Sequence, residues 1–463
     1  EIELKNVKEF WGEKQEHKRR HENTKITGTI LLLLFLLLVF IISDLVRASN
    51  MESEPIREPY GLVLLVVDGL GSSYVYPEHR AYALDGSPLE SAVLFNLTGR
   101  ATRVVDVQVP VPETTQSHSV LITGRADVDP GHPGRTVFDA AREEGFLCLG
   151  LLQRGDAMPV LQEMDAVLYL DDNSLHGAEP IPGFRAGAAS RLSPILQRWR
   201  DRFGRYTGEQ GTLAYINYNA WALDAAADLV GNLSGRKFIL LVNAGGVDSA
   251  GHELGAEGYR ETVAALDEPL GKLAEACRKK HVLLVVTADH GMVFPGQEGK
   301  GGHSAEKYRD RLEARRVPLV FLGPGVEELN LGGSWSETDI APTLLSLLNI
   351  SAGLEGNGKK MPVAESFELA VRGAPEDLTL WQGEERLAEG SAGQCIFWGL
   401  SRGAYSLRAG EKEWPVTVNG DVAVDLGKPG LGEGWKRILG VALILVINLL
   451  GMAAIVRMWR EGD

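Results

Sequence analysis

The sequence predicts an α/β fold in which helices cover a largely parallel β-sheet. From about Tyr60 to Leu348, short apolar runs rich in valine and leucine alternate with longer amphipathic stretches, which is the rhythm of α/β proteins. The runs are apolar nearly throughout rather than at every second residue, as is typical of strands buried on both faces. Both observations indicate one large sheet between layers of helices.

Four strands and two helical stretches stand out within this region. The clearest strands are GLVLLVV, KFILLVN, HVLLVVTA and VPLVFLG. The stretches TVFDAAREEG and YRETVAALDEPLGKLAEACRKK place apolar residues at helical spacing beside charged ones, so we expect both to cover the sheet. We assign this larger domain to residues 58–372.

The composition changes after about Pro375. Short β-like runs such as LTLWQG, EWPVTVNG and DVAVDLG are separated by glycine, which predicts a small all-β module over residues 375–428. A short stretch, GLSRGAYSLRAG, resembles strands of Ig-like or prealbumin-like modules. The pattern leaves open whether the module is a spacer or a binding unit.

Two apolar segments, residues 26–46 and 438–456, are long enough to cross a membrane as helices. For the first segment, a cleaved signal peptide is the alternative. Five lysine and arginine residues between positions 14 and 25 place its leading side in the cytoplasm by the positive-inside rule. We therefore expect a protein of the cell membrane with cytoplasmic ends, residues 1–25 and 457–463, and its domains on the extracytoplasmic side.

Charge and cysteine content exclude other classes of protein. The 463 residues carry a formal net charge of −15, which opposes sequence-independent binding of nucleic acid, so we expect no nucleic-acid scaffold. The three cysteines, Cys148, Cys277 and Cys395, are far apart and odd in number. They form neither a disulfide framework nor a CxxC metal site, and we expect them to pack as small apolar groups.

Aspartates and histidines follow three of the predicted strands, and one more histidine lies in a later loop. Any one of them alone is an ordinary turn former or surface group. The carboxyl ends of parallel strands share one edge of the sheet, however, so the whole set is expected to converge there. Aspartate and histidine suit zinc, and two such ions can stabilise the attacking and leaving oxygens of a displacement at phosphorus. The residues are Asp68, Asp248, His252, Asp289, His290 and His303.

A candidate nucleophile lies in VPETTQSHSVLITG, residues 111–124. Thr114 and Thr115 stand just before a predicted helix that ends at Gly124, and the free N–H groups of a helix N-terminus attract phosphate or sulfate. The alternative is a simple helix cap, since threonine is favoured at that position whatever the function.

Taken in order, these motifs resemble those of the alkaline phosphatase superfamily. The resemblance rests on Asp68-Gly69, PETTQSH, the Asp248-to-His252 spacing, TADHG, GGHS and TDIAPTLLSLLNI, and it covers about Tyr60 to Ser351. It implies an alkaline phosphatase-like fold. No Cys-x-Pro-x-Arg signature of formylglycine sulfatases is present at this place, and the short step from His290 to His303 departs from the phosphodiesterases and is about that of the superfamily's phosphoglycerate mutases and phosphopentomutases.

The resemblance also implies roles for the residues. One metal ion would be held by Asp248, His252 and His303. The other would be held by Asp68, Asp289, His290 and the nucleophile oxygen. Thr114, four residues before His118, is the implied nucleophile and Thr115 the runner-up. We expect two divalent ions, zinc first and manganese as the alternative; candidate substrate contacts are His118, His132 and Lys300.

We weigh three functions against one another. The first is a membrane-anchored, two-metal phosphoric ester hydrolase, either a phosphatase or a phosphodiesterase. It would act through a phospho-threonine intermediate, and its phosphate-ester substrate could be linked to a lipid or a glycan. The second is a transferase that passes the phospho-group to an extracellular lipid- or glycan-linked acceptor. The third is a non-catalytic surface binding protein.

Overall fold

The computed structural model describes residues 61–92, 94, 101–131, 133–153, 158–170, 179–185, 189–233, 235–364 and 367–426, with the single positions 444, 451, 454 and 455. Nine of its strands belong to one sheet. They are β1 (Gly61–Val67), β2 (Thr102–Gln108), β3 (Leu147–Leu152), β4 (Ala166–Tyr169), β5 (Ile181–Phe184), β6 (Phe238–Ala244), β7 (Val282–Thr287), β8 (Arg316–Leu322) and β9 (Asn330–Ser336). Their order across the sheet is β5-β4-β3-β6-β1-β7-β8-β2-β9.

The helices of the same domain connect these strands. They are α1 (Thr114–Thr123), α2 (Val137–Glu143), α3 (Met158–Gln162), α4 (Ala189–Arg202), α5 (Thr212–Asn232), α6 (Gly246–Ala264), α7 (Asp267–Lys279), α8 (Leu312–Arg315) and α9 (Ile340–Leu347). Helix α5 contacts β6, α6 and α7, so it is a centre of the helical packing beside the sheet.

Strand β1 lies at the middle of the sheet, and all seven of its residues are buried. Full burial of a valine or leucine side chain stabilises a fold by about 1.5–3 kcal/mol, which explains why this strand has no polar residue. Its partners β6 and β7 are both parallel to it and equally buried. Three parallel strands therefore end side by side in the interior of the domain.

The α/β prediction is confirmed, with two refinements. The sheet is mixed, because β8 runs antiparallel to both β7 and β2, and β5 runs antiparallel to β4. The second predicted helical stretch is broken: α6 ends at Ala264 and α7 begins at Asp267. Pro269 has no amide hydrogen to donate to the carbonyl four residues earlier, so one continuous helix through this point is unfavourable.

Two of the three cysteines pack as small apolar groups in the core, as predicted. Cys148 and Cys277 belong to the main apolar core and are 0% and 2% exposed. Cys395 is partly buried against the second core. Burial raises the pKa of both core thiols, to about 12 in each case.

A second apolar core follows the main domain. It is built by a three-stranded and a four-stranded sheet, whose strands β10 to β16 are numbered along the chain. Leu369 and Val371 of the first of these strands are fully buried in this core, although the predicted domain boundary at residue 372 assigns them to the larger domain. The strands are β10 (Phe367–Ala374), β11 (Leu378–Gln382), β12 (Glu385–Gly390), β13 (Gly393–Leu400), β14 (Gly403–Ala409), β15 (Lys412–Val418) and β16 (Val422–Asp425). Their order is β13-β10-β16 in the three-stranded sheet and β12-β11-β14-β15 in the four-stranded sheet.

The predicted membrane anchoring requires a correction. Within the part of the chain that the structure describes, no helix combines the length and the apolar character needed to cross a membrane. Even the 21-residue α5 carries Asp224 and Asp228. The expected two-helix attachment, and the localisation derived from it, are therefore not supported. The predicted segments 26–46 and 438–456 lie outside the described residues apart from the single positions given above.

Candidate metal centre

The ends of β1, β6 and β7 bring three aspartates together. Val67 of β1 pairs with Ala244 of β6, and Val66 pairs with Thr287 of β7, so the carboxyl ends of the strands are in register. Asp68 follows the first strand directly and Asp289 follows the third after one alanine. Asp248 lies in the first turn of α6, immediately beyond the second.

Backbone hydrogen bonds lock these three strand ends to one another. The Asp68 amide donates to the Ala244 carbonyl at 3.1 Å, and the Asp248 amide donates to the Asp68 carbonyl at 3.0 Å. The Gly69 amide donates to Oδ1 of Asp289 at 3.1 Å. The position of each carboxylate is thus fixed by the main chain of a neighbour.

Gly69 is the residue that permits this close approach. Its φ is +79°, a conformation that side-chain-bearing residues rarely adopt. A Cβ atom there would lie 2.8 Å from the Cα of Asp248. The Asp-Gly pair of the sequence is therefore required by both the backbone turn and the contact with the neighbouring ligand segment.

Two groups of ligand atoms result, and they share one imidazole. Asp68, Asp289 and His290 form one group, and Asp248, His290 and His303 form the other, with ligand atoms within 4.8 Å of one another in each. His252 joins the second group from the side, with Nε2 at 3.3 Å from Oδ1 of Asp248. The resemblance had assigned His290 to one metal only, whereas the structure places it between both groups.

The three histidines have the same hydrogen-bond arrangement. Nδ1 donates to a main-chain carbonyl in each case: His252 to Gly301 at 3.0 Å, His290 to Gly291 at 3.0 Å and His303 to Pro112 at 2.7 Å. Because a carbonyl only accepts, Nδ1 carries the proton of the neutral ring and Nε2 keeps its lone pair. This is the orientation that metal-binding histidines use.

The distances and burial fit divalent metal ions. Nε2 of His290 lies 3.5 Å from Asp68 and 3.3 Å from Asp289, and Nε2 of His303 lies 3.7 Å from Asp248. Ligands about 2.0–2.2 Å from a tetrahedral ion are roughly 3.3–3.6 Å apart. Oδ1 of Asp248 and Oδ2 of Asp289 are also buried without a hydrogen bond among the described residues, as metal-binding oxygens would be.

The electrostatics of the site favour the metal-binding forms of Asp248 and His303 at neutral pH. Burial alone would raise the pKa of Asp248, but the facing imidazole of His252 and the other nearby imidazoles hold it below its ordinary value. The pKa of His252 is raised, chiefly by the facing carboxylate of Asp248. Burial, together with His290, lowers the pKa of His303 to about 4. An ionised Asp248 and a neutral His303 are the forms that coordinate a metal.

Thr114, the predicted nucleophile, lies at this centre. It is the first residue of α1, and its Oγ1 lies 3.1 Å from Nε2 of His290. The alternative of a helix cap does not describe it, because the capping position is Glu113, whose side chain makes no capping hydrogen bond. The Thr115 hydroxyl makes no hydrogen bond to a described residue.

The three candidate substrate contacts have different environments. His118 is 3% exposed, and its Nε2 lies 3.7 Å from Oδ2 of Asp289, so it is packed behind that ligand. Lys300 is exposed and forms an ion pair with Glu253 at 2.8 Å. His132 lies outside the described residues.

Tyr259 was not predicted from the sequence. It is fully buried in α6; its hydroxyl donates to the Gly69 carbonyl at 2.8 Å and accepts from the Gly71 amide at 3.1 Å. Both contacts hold the turn that presents Asp68. A lone tyrosine in an amphipathic helix gives no sequence signal for such a role.

A family model matches much of the chain that forms this centre. Residues 205–352 match the model of the Metalloenzyme superfamily. This range contains five of the six proposed ligands, and the fold supplies Asp68 and Thr114 from outside it.

Curated relatives include 2,3-bisphosphoglycerate-independent phosphoglycerate mutases. The enzyme of Acinetobacter baylyi is 31% identical over 128 residues, which cover 28% of this chain and 24% of the mutase. The enzyme of Vibrio atlanticus is 36% identical over 135 residues, covering 28% and 24%. The chain thus spans about a quarter of the length of these relatives.

Solved structures with a similar chain path include alkaline phosphatase PafA, at 13% identity and a TM-score of 0.49, covering 67% of this chain and all of that one. A 2-O GAG sulfatase has 12% identity and a TM-score of 0.44, covering 86% of this chain and 92% of that one. The family match and the mutase relatives support the alkaline phosphatase-like superfamily that the motifs predicted.

Proposed function

We propose that this chain is a metalloenzyme of the alkaline phosphatase-like superfamily that hydrolyses phosphoric esters through Thr114. The observation that carries the proposal is the placement of a threonine hydroxyl 3.1 Å from an imidazole shared by two metal-ligand groups. A hydroxyl nucleophile, two ligand groups and a helix N-terminus are what an in-line displacement at phosphorus requires.

The first turn of α1 supplies part of the binding site for the phospho-group. The amides of its first residues have no partner within the helix, and Glu113 does not cap them with its side chain. Such amides, with the positive end of the helix dipole, favour an anion. The same turn therefore presents the nucleophile and attracts the group that it attacks.

The chemistry divides between the metal ions and the chain. Zinc or manganese ions, when bound, would lower the pKa of the attacking hydroxyl and stabilise charge on the leaving oxygen. Thr114 Oγ1 gives up its proton and bonds phosphorus as the ester oxygen departs and takes a proton. Water then attacks the phospho-threonine, the bond between Oγ1 and phosphorus breaks, and the threonine regains its proton.

The decisive experiment compares two adjacent threonines. The full chain, loaded with zinc or manganese, is assayed on p-nitrophenyl phosphate, bis(p-nitrophenyl) phosphate and p-nitrophenyl sulfate. We expect Thr114→Ala to lower kcat by about three orders of magnitude or more with metal content unchanged, and Thr115→Ala to have little effect. Acid quenching of the wild-type reaction should trap a phosphorylated peptide containing Thr114.

Two outcomes would contradict the proposal. Full activity in the Thr114→Ala protein would exclude this nucleophile, and turnover of the sulfate ester alone would exclude phosphoric esters as the substrate class. Release of phospho-group to an added alcohol, with little free phosphate, would instead indicate the transferase.

A further inference from the structure

A buried serine lies directly behind the candidate nucleophile. Ser117 is three residues after Thr114 in α1 and is 0% exposed. Its Oγ lies 2.6 Å from the main-chain carbonyl oxygen of Asp289 and within hydrogen-bond distance of Oε1 of Glu337. The serine therefore joins the helix of the nucleophile to a metal-ligand segment and to a second acidic residue.

The protons of this cluster can be counted. Each of the two contacts joins two oxygen atoms at hydrogen-bond distance, so each requires one proton between them. The serine hydroxyl carries a single proton, and the Asp289 carbonyl carries none. If Glu337 were ionised, both neighbours of Ser117 would be acceptors and one contact would bring two lone pairs together. A proton on Glu337 satisfies both contacts.

The surroundings of Glu337 agree with the neutral form. The residue lies in the 3₁₀ turn Glu337–Asp339, which packs against α1, and it is 0% exposed. Within the described part of the chain, no lysine, arginine or histidine forms an ion pair with it, and Oε2 makes no hydrogen bond. Burial raises the pKa of Glu337 well above its usual value; the bond with Ser117 lowers it and nearby Asp289 raises it further.

We propose that Glu337 is a positioning residue that acts as a neutral carboxylic acid. Its hydroxyl donates to Ser117 Oγ, and Ser117 in turn donates to the Asp289 carbonyl. This two-bond relay fixes the first turn of α1, and with it Thr114, relative to the metal-ligand segment 289–290. The protonation state stands on the hydrogen-bond geometry, whereas the effect on catalysis rests on the proposed hydrolase function.

Infrared spectroscopy tests the protonation state without any substrate. The difference spectrum between wild type and Glu337→Gln at neutral pH should contain the carbonyl stretch of a protonated carboxylic acid, with a shift in heavy water. Carboxylate bands in its place would overturn the proposal, whether or not the protein hydrolyses any ester.

Substitutions test the positioning role. Glu337→Gln is neutral and can still donate to Ser117, so kcat on the best ester should stay close to that of wild type. Glu337→Leu and Ser117→Ala break the relay, and kcat should fall about tenfold at unchanged KM, the effect of one hydrogen bond of ordinary strength. Ser119→Ala is the matched control, because Ser119 lies in the same helix and, among the described residues, its hydroxyl bonds the Thr115 carbonyl alone.

The outcomes separate this inference from the proposed function. A Gln variant as impaired as the Leu variant, or a Ser119→Ala protein as impaired as Ser117→Ala, would overturn the relay. Absence of turnover in wild type would remove the hydrolase proposal and leave the infrared result to decide the state of Glu337.

Discussion

Asp68 shows how a single residue can be fixed by its chain neighbours and still be available for a ligand. Its main-chain amide and carbonyl are both used by the ends of neighbouring segments, while its carboxylate lies 3.5 Å from Nε2 of His290. The main-chain hydrogen bonds thus orient the residue and would remain without its carboxylate. Loss of the carboxylate should therefore affect metal binding more than folding.

We expect Asp68→Ala to lose one of the two metal ions, with affinity for it lowered by at least about 100-fold. Metal stoichiometry of the purified protein and its far-ultraviolet circular dichroism measure the two effects separately. Asp85→Ala is a suitable control, since Asp85 is exposed and its carboxylate accepts hydrogen bonds from the amide and hydroxyl of Ser87. Two bound ions in the Asp68→Ala protein would exclude Asp68 as a ligand.

The residues that the sequence reveals and those that it hides differ in a physical way. Asp68, Asp248 and Asp289 could be found because each comes just after a run of buried strand residues, where charge is unexpected. Ser117 and Glu337 could not, because a buried polar side chain inside a helix or turn is recognised only when its distant partners are known. Their contacts span 172 and 220 residues.

At the scale of elements, the turn after β1 depends on a helix far along the chain. Tyr259 in α6 bonds both Gly69 and Gly71. Because α6 also carries Asp248 and His252, a single helix provides two proposed ligands and holds the turn that presents a third. The helix and the turn should therefore respond together to a change in either.

Tyr259→Phe should lower the free energy of unfolding by about 1–3 kcal/mol, because it leaves a buried carbonyl and amide without partners. It should also weaken metal binding by loosening the turn at Asp68. Tyr76→Phe is the matched control: Tyr76 is buried and its hydroxyl likewise makes two main-chain hydrogen bonds, but both are with Leu319 in β8. Chemical denaturation and metal titration of both variants make the comparison.

The result that would contradict this role is equal metal affinity in wild type and Tyr259→Phe at a similar loss of stability. The contacts of Tyr259 would then support the fold alone.

Element type could be predicted better than element direction. The four apolar runs are strands β1, β6, β7 and β8, but nothing within VPLVFLG indicates that β8 runs against its neighbour. Direction depends on the path of the intervening chain. The break between α6 and α7 was missed for another reason, since apolar spacing continues across it and only Pro269 signals it.

At the scale of the whole molecule, the candidate metal centre is a cluster of acidic side chains at the buried carboxyl ends of the central strands. Three aspartates converge there, and the shared His290 contributes to both ligand groups. In the folded protein without metal these carboxylates repel one another, and bound cations would remove that repulsion. The stability of the larger domain should accordingly depend on metal.

Removal of metal with a chelator should lower the melting temperature, and zinc or manganese should restore it. At a free-metal concentration about 1,000 times Kd, binding to the folded state alone is worth about 4 kcal/mol. Calorimetry with and without chelator measures the shift. An identical melting temperature in both conditions would argue against a metal site in the folded protein.

Metal affinity should also decrease as the pH falls from 8 to 6. His252 must be neutral to coordinate, and its pKa is raised by the facing carboxylate of Asp248, so protons compete with the metal for it at a higher pH than for an ordinary histidine. Titrations at the two pH values check the sign, and stronger binding at pH 6 would contradict it.

The hydrogen bond from Gly69 to Asp289 joins residues 220 positions apart in the chain. A contact of this separation requires β1 and β7 to pair across a long intervening chain, and long-range pairing is the slow part of folding. The ligands are therefore scattered along the chain until the central sheet is nearly complete. Metal would then bind too late to accelerate folding, and its main kinetic effect would be to lengthen the lifetime of the folded state.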